Sequence, residues 1–533
     1  MSLPPAHTGW QLDQISVVNV KFVFLDQLLT KLWLRVLFDN RTLAPRVGGL
    51  QAVAELAQLI ERANPDFKGF AGTGVAETWL RSDLVKTLKA PKKKKLGMFS
   101  VARPLHDRAV RIRNAREDGD ANASQAVYGW LHNCDPELLS ELRGFLTFDP
   151  DGERVDLATF ALGLLGDQQI EDMPKPGEPE AVPAPLCRLN GDRYTEDLRR
   201  LLAYRLVMPR ADLIDHIRRL TGFHLALYLL KVARITVEAD ESGGLSPTCD
   251  SLHGSDGDVP CPYRLELLVD CGEDAQSPIA KLAELSWTGE EAWIARYIRS
   301  HLALRKVSEY AEQLKRRDPS KAVPFSTLGE IASIERIADQ ARLEAYFSQR
   351  FDDLVAAVKD GKDGKDDDIR ELETEYLALG LSPLRAYVAL LAHYSERRWF
   401  GYHRDMFDSL FGKNSPEGMF RQPLGGLRRR RLAMAPGMLE TLTLISVVRD
   451  SPRGYVTRPM MIDELMDRFD RRYGLLIGRP PASLGNDATL GLLLKSNVQR
   501  FKARLRETGL YTDLSDAYLA QTVKPRYVIG ATE

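Results

Sequence analysis

The sequence predicts a mainly α, multidomain protein with small β elements. Three observations predict this class: apolar residues recur at helical spacing along most of the chain, strand-like stretches are few and short, and two segments have the composition of linkers. The 533 residues are enough for several domains of roughly 100–200 residues each. A hydrophobic fraction of 44% and a charged fraction of 28% are ordinary for a folded protein.

Helix signals are clearest in the N-terminal part and one strand signal lies in the middle of the chain. Residues 51–63 carry apolar side chains at helical spacing, and Asp135 followed by Pro136 is a helix N-terminus with a cap and a proline in the first turn. Residues 263–270 predict a strand. The predicted organisation is a helical domain (1–170), a Pro-rich linker (171–186), a central helical domain with a small β element (187–358), a charged linker (359–368), a helical segment with an Arg-rich end (369–436) and a C-terminal domain (437–533).

The last hundred residues are the most specific part of the sequence. A core helix is predicted over 437–450, a second helix begins near Thr457, and a third covers about 489–508. A short strand from Leu510 and a closing strand over 525–529 follow. Three helices and then two strands is the order of a winged helix, so a winged-helix-like domain is predicted here.

The third of these helices predicts a DNA contact. Leu494, Val498, Phe501 and Leu505 fall on one narrow apolar stripe, and polar and basic residues fall opposite or beside it. Such side chains on an exposed helix reach base edges and phosphates. The candidate residues are Lys495, Ser496, Gln499, Arg500, Lys502 and Arg506. A protein-docking surface and a merely solvated face are the alternatives.

Two other runs are basic enough to attract a polyanion. One consists of Lys92, Lys93, Lys94 and Lys95, and the other of Arg428, Arg429, Arg430 and Arg431. The formal net charge is only −1, so attraction to nucleic acid must come from local clusters like these. Four adjacent cations also occur in plain solvated loops, which is the alternative for each run.

Catalytic and metal-binding motifs are scarce in the sequence. It contains no P-loop, HExxH, GxSxG, kinase or deaminase signature. Cys249, His253, Cys261 and Cys271 are four residue types that bind zinc, within a short stretch. Because Cys261 and Cys271 flank a strand, up to about 30 Å separates them at about 3.3 Å per residue. No cofactor is therefore expected, and zinc is the one candidate.

The sequence also predicts the cellular compartment of the protein. The first residues lack the pattern of a signal peptide, and the apolar stretch over 17–38 is interrupted by charges, so no membrane association is expected. Five unevenly spaced cysteines do not suggest a disulfide framework. The prediction is a cytoplasmic protein.

The layout, with the ending Asn497-Val-Gln-Arg-Phe-Lys-Ala-Arg-Leu-Arg-Glu-Thr-Gly, resembles accessory subunits of bacterial anti-phage defence systems of the phosphorothioation-dependent or methylation-associated restriction type. The resemblance implies a non-catalytic subunit that binds or senses double-stranded DNA, with ATPase, nuclease or methyltransferase partners on other chains. Two alternatives remain: a protein–protein scaffold of such a complex, and an enzyme with a divergent metal-dependent nuclease-like site within 187–350.

Overall fold

A computed structural model describes most of the chain. The described residues are 9–41, 57–58, 74–79, 81–82, 85–89, 98–103, 120–147, 177–245, 261–359, 372, 374–376, 378–423, 429–485, 487–511 and 521–530.

The fold is mostly helical with few strands, which confirms the mainly α part of the predicted class. The α-helices are α1 (Leu25–Leu37), α2 (Val75–Trp79), α3 (Ala123–Cys134), α4 (Pro136–Leu146), α5 (Arg188–Leu202), α6 (Arg210–Ser242), α7 (Pro278–Arg317), α8 (Leu328–Ile337), α9 (Gln340–Lys359), α10 (Pro383–Leu410), α11 (Pro436–Val447), α12 (Ile462–Tyr473) and α13 (Ala488–Glu507). Short 3₁₀ turns cover Ala203–Leu206, Pro319–Lys321 and Ala482–Leu484.

The strands are short and scattered between the helices. They are β1 (Val85–Lys89), β2 (Met98–Ala102), β3 (Leu267–Asp270), β4 (Phe420–Arg421), β5 (Arg431–Ala433), β6 (Val448–Ser451), β7 (Gly454–Thr457), β8 (Met460–Met461), β9 (Leu475–Leu476) and β10 (Thr522–Val523). The pairs β1–β2, β6–β7 and β8–β10 are antiparallel, and four strands form one mixed sheet in the order β4-β5-β3-β9.

Two long helices, α6 and α7, form the centre of the core and pack against each other and against α10. Ser277 caps α7 by accepting a hydrogen bond from the Ala280 N–H at 3.2 Å, and Pro278 occupies the first turn. Among the described helices, α6 alone is long and apolar enough to cross a membrane, but 94% of its most apolar window is buried inside the protein, as is usual for a core helix.

The mixed sheet joins parts of the chain that are far apart in sequence. Its central strand β3 pairs in parallel with β5 on one side and with β9 on the other. The turn into β9 depends on Gly474, which has φ of +72° and ends α12. A Cβ at Gly474 would lie 2.1 Å from the Leu265 carbonyl oxygen, so only glycine fits this close approach. The C-terminal segment is thereby part of the central core.

The C-terminal segment differs from the prediction at two points. Residues 448–451 pair with residues 454–457 in a hairpin, so the second helix begins at Ile462 and not near Thr457. Gly454, with φ of +107°, allows the tight hairpin turn. The closing strand covers 522–523 instead of 525–529; it pairs with β8, and Val523 also bridges to Tyr511.

The described end of the Pro-rich segment, residues 177–186, is extended, and it packs on the protein surface. Asn40 donates from Nδ2 to the Glu180 carbonyl oxygen at 2.7 Å, and the Leu186 N–H donates to the Tyr228 hydroxyl at 3.1 Å. Residues 171–176 and almost all of the charged segment 359–368 lie outside the described residues.

Candidate nucleic-acid interface

The helix α13 begins at Ala488 with a side-chain cap. Asp487 accepts a hydrogen bond from the Leu490 N–H at 2.7 Å. The predicted apolar stripe is the buried side of the helix: Leu494, Phe501 and Leu505 are at most 3% exposed, and Val498 is half-buried. Helical periodicity therefore orients α13 correctly and leaves its polar side toward solvent.

A buried amide fixes α13 against the sheet. Asn497 is fully buried, and its Nδ2 donates to the Val269 carbonyl oxygen at 2.8 Å and to the Ile477 carbonyl oxygen at 3.0 Å. Its Oδ1 accepts from the Cys271 N–H at 2.9 Å. The amide thus satisfies backbone groups at the ends of both β3 and β9. Sequence analysis did not single out Asn497, although a polar residue beside the apolar stripe was the available signal.

The predicted candidates on the solvent side of α13 fall into three groups that differ in exposure and in side-chain contacts. Lys495, Ser496 and Gln499 are exposed, and their side chains have no hydrogen bond or ion pair with any described residue. Arg506 is exposed, with its guanidinium 5.8 Å from the centre of the Tyr511 ring. Lys502 is half-buried and donates to Gln521 Oε1 at 2.6 Å.

Arg500 and its neighbour Arg504 lie at the border between this face and the sheet. The Arg500 guanidinium rests on Gly272, where an added Cβ would be 2.4 Å from Nη1. Arg504, which sequence analysis did not name as a candidate, donates to Glu273 Oε1 at 2.8 Å and to Glu507 Oε2 at 3.0 Å.

The Arg-rich run before β5 is placed differently from the prediction of a surface cluster. Arg430 is buried and donates from Nη2 to Asp408 Oδ2 at 2.7 Å. Arg431 is buried and donates from Nε to Asp270 Oδ2 at 2.9 Å. These two cations are not on the surface because each meets a carboxylate from a distant part of the chain. Arg429 is exposed. Arg428 and the run Lys92, Lys93, Lys94 and Lys95 lie outside the described residues.

A second buried polar network attaches α12 to the helical core. Asp197 is fully buried and accepts from Arg472 Nε at 2.8 Å and from the Tyr473 hydroxyl at 2.8 Å, and it lies 3.0 Å from His224 Nε2. Burial alone would raise the pKa of Asp197, but Arg472 and His224 hold it well below its ordinary value. The network links α5, α6 and α12 away from solvent, so its role in this structure is to hold the C-terminal segment in place.

The predicted zinc ligands are only partly covered by the structure. Cys249 and His253 lie outside the described residues. Cys261 is half-buried, and Cys271 is buried at the end of β3. Within the described ranges, no group of three or more His, Cys, Asp or Glu side chains is arranged to hold a metal ion.

An acidic cavity is relevant to the alternative that the protein is an enzyme with a metal-dependent nuclease-like site. A space of about 850 Å³ between α6, α7 and the turn after Arg479 is lined by Glu238, Glu241, Glu266 and Glu290. Three of these carboxylates are held by arginines: Glu290 by Arg234, Glu241 by Arg296 and Glu266 by Arg479. The cluster is therefore largely neutralised within the chain, and it does not carry the argument for a metal-dependent nuclease.

The fold and the site define a class: a large, mainly helical protein with exposed polar and basic side chains on a helix that is fixed to the core. The model of the family described as methylation-associated defense system protein MAD7 matches residues 6–527, so the chain belongs to that family. No curated protein and no solved structure matches the chain. Membership confirms the predicted relation to defence-system proteins, and it implies that the protein works with other components of such a system.

Proposed function

We propose that this protein is a non-catalytic, DNA-binding subunit of its defence system, and that it contacts duplex DNA through the exposed face of α13. The observation that carries the proposal is the set Lys495, Ser496 and Gln499, which is exposed and unpaired among the described residues on a helix anchored by Asn497. In this proposal, ATPase, nuclease or methyltransferase chemistry belongs to partner chains.

The order of elements around α13 supports a winged-helix interpretation. The order is α11, the β6–β7 hairpin, β8, α12, β9 and α13, followed by the bridge at Tyr511 and by β10, which pairs with β8. In winged helices the third helix lies in the major groove, and the strands after it hold the wing beside the backbone. In this interpretation α13 is the third helix. At 1.5 Å per residue its 20 residues are about 30 Å long, enough to cross the groove.

The chemistry of the face suits both parts of a DNA contact. Lys495 and Arg506 carry positive charge to phosphates, while Gln499 and Ser496 are side chains that hydrogen-bond to base edges. Because Asn497 fixes the helix from the opposite side, these side chains are presented on a rigid element.

The test is fluorescence anisotropy of a labelled duplex titrated with the full chain over a salt series. Lys495→Gln is expected to weaken binding about 5-fold and to reduce the slope of log affinity against log salt by about 0.9, because one phosphate contact is lost. Gln499→Ala is expected to reduce discrimination between duplex sequences by a factor of about 5 or more.

The matched control is Arg316→Gln. Arg316 is also an exposed cation, with 82% of its side chain accessible, but it lies at the far end of α7, a helix about 60 Å long whose first turns pack beside α13. Equal losses for Arg316→Gln and Lys495→Gln would place DNA elsewhere on the molecule. No binding by the wild-type chain at low salt would refute the proposal.

One observation favours a second candidate function, a scaffold for other components of the system. Leu492 is 71% exposed on the same side of α13, and Met461 in β8 is 42% exposed. A contiguous exposed apolar patch marks a docking surface, and a scaffold requires that these two side chains belong to one patch. Co-expression with the system's other proteins tests this. Loss of co-purification with Leu492→Asp, while DNA affinity is unchanged, would favour the scaffold.

A further inference from the structure

Four arginines from three elements meet at the carboxyl end of β3. Arg421 lies opposite Arg431 in the β4–β5 pair, and Arg431 is bonded to Asp270, the last residue of β3. Two residues further, the Arg500 guanidinium of α13 rests on Gly272. At the next residue, Glu273, Arg504 forms its ion pair.

The positive charges in this arginine cluster are not fully matched. Asp270 neutralises Arg431, and Glu273 and Glu507 share Arg504. Among the described residues Arg421 donates to one group, the Ser415 carbonyl oxygen at 2.7 Å, and it is half-buried. Burial together with the charges of Arg504 and Arg431 lowers the pKa of Arg421, as expected where cations are crowded.

One guanidinium nitrogen in the cluster lacks a hydrogen-bond acceptor among the described residues. Arg500 Nη1 is buried and has no hydrogen-bond partner among the described residues. Leaving a buried charged donor without a partner is costly. An anion placed between Arg421, Arg500 and Arg504 would supply that acceptor and relieve the repulsion between the three cations.

The carboxylate of Glu273 already stands in such a position. It is bound to Arg504, yet 82% of its side chain is exposed, so moving it aside requires no change in the core. Its Oε1 accepts from Arg504 as a phosphate oxygen would. The cluster also borders the solvent face of α13, since Arg500 lies one residue beyond Gln499.

We infer that the arginine cluster is a binding site for a backbone phosphate of DNA, and that Glu273 occupies it until DNA displaces the carboxylate. The inference rests on the proposed function and adds a position for one strand of the duplex beside α13. Glu273 then competes with DNA for the arginine cluster, so removal of its charge should strengthen DNA binding.

The experiment compares Glu273→Gln, Arg500→Gln and wild type in the same anisotropy and salt series. Glu273→Gln is expected to raise affinity about 5-fold, because the competing negative charge is gone. Arg500→Gln is expected to lower affinity about 5- to 10-fold and to reduce the salt slope by about 0.9. Glu507→Gln is the matched control: Glu507 also pairs with Arg504 but belongs to α13 itself, so a smaller gain is expected.

Thermal unfolding shows whether each variant is folded. Because Glu273 is exposed, Glu273→Gln is expected to fold normally, so a change in its DNA affinity reports on the cluster. DNA binding that none of the cluster variants alters would overturn this inference and leave the proposed function standing. Absence of DNA binding by the wild type would overturn both. If inorganic phosphate raised the melting temperature of that wild type, but not of Arg500→Gln, the site would serve a free phosphate and the assignment to DNA would be wrong.

Discussion

The Arg-rich run that leads into β5 and the solvent face of α13 are similar in sequence, since both are dense in cations. In the structure, however, two arginines of the first are buried and most candidates of the second are exposed. Arg430 and Arg431 are buried against Asp408 and Asp270. Lys495 remains exposed and unpaired among the described residues. The difference teaches that a basic run predicts a binding surface only when no carboxylate from elsewhere in the fold reaches it.

The largest expected effect comes from breaking a buried pair. Asp408→Ala removes the carboxylate that pairs with the buried Arg430 and with Lys413. We expect a loss of about 3–5 kcal/mol in the free energy of unfolding, measured by denaturant titration. Asp450→Ala is the control, since Asp450 is 77% exposed and lies 3.8 Å from Arg200; a change within about 0.5 kcal/mol is expected. Equal effects of the two variants would contradict the comparison.

The second largest effect is expected at Asn497, the buried amide that fixes α13 against the sheet. Asn497→Asp keeps the size of the side chain but removes the donor to the Val269 and Ile477 carbonyl oxygens. A loss of about 2–3 kcal/mol in the free energy of unfolding is expected, because a buried charge replaces a satisfied amide. Gln499→Glu makes the same chemical change on the exposed face and should alter stability by less than about 0.5 kcal/mol. A stable Asn497→Asp variant would mean that α13 is held by its apolar stripe alone.

Acid should weaken the core. Burial lowers the pKa of His216 and His301 to about 3 and that of His403 to about 4, from an ordinary value of 6.5. Their folded-state pKa is depressed, so the neutral forms stabilise the fold above pH 6.5, and this contribution declines as the pH falls below it. Between pH 7 and pH 6 the three together should cost about 2 kcal/mol. Thermal unfolding across this range measures the effect, and a flat curve would argue against it.

The smallest expected effect is the difference in DNA affinity between variants of the two basic regions at the surface. Arg429 is the exposed arginine of its described run, and Lys495 is the exposed lysine of α13. Neither Arg429→Gln nor Lys495→Gln should change the free energy of unfolding by more than about 0.5 kcal/mol. In DNA anisotropy, Lys495→Gln should lower affinity more than Arg429→Gln. The reverse order would return the DNA contact to the Arg-rich run.

Periodicity made part of this structure predictable. Leu494, Phe501 and Leu505 oriented α13 correctly because burial of an apolar stripe is a local property of the sequence. The hairpin over 448–457 was missed because its pairing competes with an apolar run that also suits a helix. The burial of Arg431 and Asn497 could not be predicted, since the mixed sheet brings their partners close, and that of Arg430 depends on its contact with Asp408 of α10.

That sheet has a consequence for how the protein is made. The strand β3 leaves the ribosome long before either of its neighbours, since β5 and β9 lie far downstream in the chain. Pairings between such distant residues are slow to form because a long loop must close first. During synthesis β3 is therefore an unpaired apolar edge, and a chain that stops before β9 cannot complete it. Chains that stop before β9 should therefore be aggregation-prone, because one apolar edge of β3 stays exposed.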